Sequence, residues 1–147
     1  MNKKVAILGK LHTKFKAPFD DKTWDIWGFN WHKIMPPRYT LWFDIHARGA
    51  NPIADITRDN FPFKEVEDLV GGQYFNNSVS YLMAYAILKG YKEISLYGVQ
   101  FLQDRDTRRD KQYQNARELI MFAKGRGIKV TAPFDKTMLA EYPLYGV

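Results

Sequence analysis

Asp44 and His46 stand two residues apart in the run Trp42-Phe-Asp-Ile-His46. On a strand, residues i and i+2 project from one face, which sets the carboxylate beside the imidazole. A carboxylate that holds one ring nitrogen leaves the other to act as a general acid or base near neutral pH. The structural alternative is a strand-end histidine that is merely hydrogen-bonded. His12 is a second candidate for proton transfer, and His32 has no evident partner in the sequence. A different constellation, Asn76-Asn77-Ser78, lies directly ahead of an apolar run. The first N–H groups of a helix lack intrahelical partners and carry partial positive charge, which suits a phosphate. The same residues can also serve as a plain N-cap, worth about 1 kcal/mol.

Other chemistries lack their parts. The 147 residues include no cysteine, which excludes disulfides, thiolate zinc sites and cysteine nucleophiles. No His-x-x-x-His pair occurs, and Asp104 and Asp106 are separated by the cation Arg105, so no metal is expected. There is no Gly-x-x-x-x-Gly-Lys-Ser loop and no full dinucleotide fingerprint. No cofactor is expected beyond a nucleotide or sugar nucleotide bound as substrate or ligand.

The elements that must position these residues follow from pattern. Lys4–Leu8 is a short apolar run closed by Gly9 and reads as a buried first strand. Residues 10 to 23 are polar, basic and interrupted by Pro18, which predicts a loop with at most a short turn. Trp24–Phe29 reads as a second strand ending at Asn30, and residues 39–45 as a third, rich in aromatic and β-branched side chains. Phe63–Val70 has room for one or two helical turns. Ser78–Leu88 is predicted as an apolar helix, with Val79, Leu82, Met83, Ala86 and Ile87 at helical spacing and Gly90 as its C-terminal glycine. Residues 93–99 form a fourth strand, 104–124 an amphipathic helix, and 128–131 a fifth strand. The tail through Tyr142 and Tyr145 is expected to pack back on the body.

Strands alternating with helices predict a single α/β domain over residues 1–147. The expected form is a Rossmann-like three-layer sandwich with a mainly parallel sheet of about five strands. Ligands of such sheets bind beyond the carboxyl ends of the strands, where strand order reverses. That rule selects the polar segments after Leu8, Phe29, Ile45 and Val99.

Those segments also carry a resemblance. Ser78-Val-Ser-Tyr81, Ala86-Ile87, Gly90-Tyr-Lys-Glu-Ile94 and Leu96-Tyr-Gly-Val99 resemble a segment of the bacterial CMP-sialic-acid-dependent sialyltransferases. Nearly the whole chain is similar to small bacteriophage proteins. The shared features are the Gly9 loop, Trp24-Asp-Ile-Trp-Gly-Phe-Asn30, Trp42-Phe-Asp-Ile-His46, Gly125-Arg-Gly-Ile-Lys-Val130 and Pro133. The resemblance implies a nucleotide held by Gly9, Asn30, Asn77 and Ser78, with Gly98 and Gln100 at the end of the fourth strand. Three departures stand out. Gln100 replaces an acidic residue, and glutamine cannot act as a base. Lys10-Leu-His-Thr13 replaces a glycine-proline-serine type of loop, leaving Lys10 or Thr13 to engage phosphate by side chain. Residues 101 to 127 contain no histidine, where the enzymes carry their catalytic one.

The net charge of +6 is gathered in three clusters, Lys10-Lys14-Lys16, Arg105-Arg108-Arg109-Lys111 and Lys124-Arg126-Lys129. Solvated faces are the ordinary reading of such clusters, and an anionic partner is the alternative. Arg105, Arg108 and Arg109 can form a mobile lid that meets phosphate. Most of the four tryptophans are expected in the core, while Trp31 follows Asn30 and can stack on a base. No apolar run approaches the roughly 20 residues that span a bilayer. A cytoplasmic protein, in the host cytoplasm if phage-encoded, is the expectation. The functional expectations come in order. The first is a glycosyltransferase-like enzyme that transfers or cleaves the activated group of a nucleotide or sugar nucleotide, using His46 and Asp44. The second is a non-catalytic nucleotide-binding or sequestering protein, and the third a nucleic-acid accessory protein.

Overall fold

The computed structural model describes residues 2–99, 101, 107–139 and 144–146. Among the described residues one parallel sheet of six strands is ordered β4-β3-β2-β1-β5-β6. The strands are β1 (Lys4–Leu8), β2 (Trp24–Phe29), β3 (Leu41–Asp44), β4 (Ile56–Thr57), β5 (Glu93–Tyr97) and β6 (Lys129–Thr131). The α-helices α1 (Phe63–Val70), α2 (Ser78–Leu88) and α3 (Thr107–Gly125), three among the described residues, complete a Rossmann-like α/β sandwich. From β1 to β4 each step moves the same way across the sheet, and the chain then returns through α1 and α2 to place β5 on the other side of β1. Strand order therefore reverses between β1 and β5.

The alternation of apolar residues sets the layers. Val5 and Ile7 of β1 pack with Trp27, Ile94, Leu96, α2 and α3 in the larger core cluster. Ala6 and Leu8 point the other way and pack with Ala17 and Ile26. The register Ala6↔Ile26 and Ile7↔Trp27 keeps these sets on their own faces. The layers are unequal: all three helices belong to the first face, while a 3₁₀ turn at His12–Lys16 leads into the residues that cover the second. Buried strands with no polar alternation are expected when both faces are covered, and all of Val5 to Leu8 is fully buried.

Two expectations about strands are corrected. The third strand spans four residues, because Thr40 Oγ1 turns back to bond the Ile26 backbone and the Asp44 carboxylate captures the chain after β3. The sixth strand, β4, has no counterpart in the sequence reading. Two residues cannot show alternation, and β4 is anchored by Asp55, whose carboxylate accepts from Trp42 N–H at 2.8 Å. The tail expectation holds only in part: Met138, 1% exposed, and Leu139 pack on the main core, whereas Tyr145 is 100% exposed and Tyr142 lies outside the described residues. Among the described residues no helix is long and apolar enough to cross a membrane.

Candidate functional site

The carboxyl ends of β1, β2, β3 and β5 open into one cleft of about 1030 Å³, walled on one side by the start of α2. The segments selected from sequence after Leu8, Phe29, Ile45 and Val99 meet there. Gly9, Lys10, Asn30, His46, Asn77, Ser78 and Gly98 all line it. Gln100, Asp104, Arg105 and Asp106 lie outside the described residues, as do the side chains of Arg108 and Arg109.

The two glycines at the switch point make the floor. A Cβ on Gly9 would stand 2.2 Å from the carbonyl oxygen of Gly98. One on Gly98 would meet the Leu11 and Gly9 carbonyl oxygens at 2.7 and 2.8 Å, and its φ of +68° disfavours any side chain. Both glycines therefore serve the contact between the β1 and β5 turns, closed by Gly9 N–H to Tyr97 O at 2.8 Å. Thr13 belongs to the same clasp: its Oγ1 accepts from Gly98 N–H at 3.1 Å, and it does not line the cleft.

His46 and Asp44 form the expected pair. Asp44 is fully buried, and its Oδ1 lies 2.7 Å from His46 Nδ1. The carboxylate also accepts from the backbone N–H of His46 and of Asn51. Three donors thus keep it oriented, and its place as acceptor assigns the proton to Nδ1 and leaves Nε2 for a ligand. The imidazole side chain is 57% exposed, on the cleft side of the strand end.

Asn30 follows β2 with φ of +63°, a left-handed conformation that asparagine tolerates better than most residues. Its backbone is fixed by Asn30 N–H to Phe43 O, and by Trp42 Nε1 and Asn51 Nδ2 donating to Asn30 O. Its side-chain Oδ1 is buried with no hydrogen-bond partner. Trp31, 59% exposed at the cleft rim, is tied by its Nε1 to Gly49 O.

At α2 the cap is Asn77, whose Oδ1 accepts from Ser80 N–H at 3.0 Å. Its amide reaches Asn76, Ser80, Gln112 and Asn115, so the Asn77 side chain is committed to the fold. The N–H groups of Ser78 and Val79 remain without partners among the described residues and border the cleft.

Several neighbours were not picked out from sequence. Asn115, 5% exposed on α3, accepts from Asn76 N–H and Asn77 Nδ2 and donates to Tyr74 O, clamping the turn before α2. Its signal was a polar residue next to the apolar stripe of Ala116, Leu119 and Ile120. Lys14, read as one of three surface cations, is 2% exposed, and burial lowers its pKa. Its Nζ lies 3.0 Å from Nδ1 of His32 and donates to Ile34 O, which gives His32 the partner the sequence did not show. No sequence signal separates Lys14 from Lys10 and Lys16. His12 is exposed and does not line the cleft. On the far wall, Arg58, Phe63 and Glu67 were also unanticipated, because residues 47 to 74 have the least regular pattern in the chain; Phe75 and Tyr81 complete that wall.

Among the described residues no group of three metal-ligating side chains gathers. The chain matches no protein-family model, no curated protein and no solved structure at a significant level.

Proposed function

We propose that the cleft binds a nucleotide or sugar nucleotide and that the chain transfers or cleaves its activated group, in the manner of a glycosyltransferase. One observation carries the reading. An imidazole oriented by a buried carboxylate and the unpaired N–H groups of a helix start share one cleft, at the point where strand order reverses. In this reading the N–H groups of Ser78 and Val79 receive phosphate charge, with Lys10 at the rim. A hydroxyl of an acceptor or of water attacks the carbon that bears the phosphate. Its proton passes to Nε2 of His46, and the carbon–oxygen bond breaks with its electron pair on the departing nucleotide. Asp44 stabilises the imidazolium that forms.

The test is turnover of a panel of cytidine, uridine, guanosine and adenosine sugar nucleotides. His46→Ala is expected to lower kcat by about 10²- to 10⁴-fold while changing nucleotide affinity little. Absence of turnover across the panel, or undiminished turnover in the variant, contradicts the assignment.

A second reading, a non-catalytic nucleotide-binding or sequestering protein, draws on the commitment of Thr13 and Asn77 to internal bonds. Tight binding with every ligand recovered unchanged would select it.

A further inference from the structure

The far wall of the cleft holds recognition groups that the reaction does not use. Phe63 and Glu67 are one turn apart on α1 and meet the cleft from the same helix face. Phe75 and Tyr81 stack with centroids 4.5 Å apart, and Phe63 meets Tyr81 edge-on at 5.3 Å. The Arg58 guanidinium sits 5.1 Å from the Phe63 ring centroid. The carboxylate of Glu67 has no hydrogen bond or ion pair among the described residues. It is close enough to Tyr81 to help burial raise that phenol's pKa, with Arg58 acting in the opposite sense. An aromatic wall therefore carries one unpaired two-oxygen acceptor and one planar cation.

Resting on the nucleotide reading above, we infer that this wall is the base site and that Glu67 and Arg58 select guanine. The argument is one of edges. A carboxylate offers two acceptors side by side, and among the common bases only guanine presents two adjacent donors, N1–H and the N2 amine. Its O6 and N7 accept from an arginine fork. Adenine sets one amine beside a ring acceptor, uracil one N–H between two carbonyls. Cytosine, the base that the sialyltransferase resemblance implies, sets one amine beside two acceptors and leaves a Glu67 oxygen unmatched. Trp31 offers a stacking face but no edge partner, since its Nε1 already serves Gly49. The direction also fits. Tyr81 and Ser78 are three residues apart on α2, roughly 4.5 Å along its axis. A base against the Phe75–Tyr81 pair thus leaves the phosphate near the unpaired N–H groups.

Calorimetric titration of the full chain with GMP, IMP, AMP, CMP and UMP tests this. IMP differs from GMP only by lacking the N2 amine. GMP is expected to bind most tightly, roughly tenfold better than IMP. Glu67→Gln, a near-isosteric change on a half-buried surface, is expected to weaken GMP by roughly 10- to 100-fold and bring the GMP-to-IMP ratio close to one. A wild-type preference for another base, or a ratio unmoved by Glu67→Gln, overturns the inference. Equal binding of all five leaves the nucleotide cleft standing and removes the guanine site. Binding of none removes both.

Discussion

Lys14 and His32 show how strongly burial sets the chemistry of a single residue. No carboxylate faces Lys14 among the described residues, and the ammonium is held by a histidine nitrogen and a backbone carbonyl. Desolvation and the neighbouring Lys14 charge push His32 down to about 4 from an ordinary 6.5. The unfolded chain therefore takes up a proton below about pH 6.5 that the folded chain refuses. Stability should fall as pH drops from about 6.5 to about 4, by up to about 3 kcal/mol from this residue, and level off below. Urea unfolding across that window should show the slope in wild type and a clearly shallower one in His32→Gln. Parallel slopes would contradict the assignment. None of this was legible in Lys10 to Lys16, where all cations look alike. The Asp44–His46 pair was legible from its residue types and close spacing, but its geometry was not: β3 ends at Asp44, and the chain beyond it turns so that His46 meets the Asp44 carboxylate through both its backbone N–H and its ring.

Among the elements, the turn after β1 and the turn after β5 act as one unit. Gly98 is locked by its positive φ and by carbonyl oxygens under 3 Å from where a Cβ would stand, whereas Gly127 has φ of +80° with nothing within 4 Å. Gly127→Ala should therefore cost about 1–2 kcal/mol, the left-handed penalty alone. Gly98→Ala should cost more, about 3 kcal/mol or beyond, since backbone must also move. Denaturant titration of the two variants separates them, and equal losses would contradict the clasp. The glycines were visible in the sequence as candidates for close approach to a ligand. Their partner turned out to be each other's backbone, a contact between residues about 90 apart that no local pattern encodes. Helix α2 was legible to the residue, because its apolar run begins at a capping asparagine and closes before a glycine. Strand β4 was not, because its two residues are held by the Asp55 carboxylate rather than by a pattern of their own.

Across the whole molecule, topology does most of the work of placing the site. The sheet reverses between β1 and β5, and the cleft runs from that point along the strand ends to Arg58, just past the edge strand β4. Strands are spaced by roughly 4.8 Å, so its ends lie on the order of 15–20 Å apart. A single cleft of about 1030 Å³ sits at the upper end of volumes usual for one small ligand, large enough for an extended nucleotide derivative. The half of the cleft at β1, β2 and β5 could be read from the sequence, since alternating strands and helices fix where a parallel sheet opens. The α1 half could not: Phe63 and Glu67 reach the cleft only because α1 packs against α2, a tertiary contact.

The most direct measurement is amide mapping by ¹⁵N NMR while nucleoside monophosphates and sugar nucleotides are added to the full chain. A nucleotide cleft predicts the largest shifts at Ser78 and Val79, with Gly9, Gly98 and His46 moving at the same ligand concentration. Shifts confined to the exposed basic faces of α3, or no shifts with any nucleotide, would contradict it.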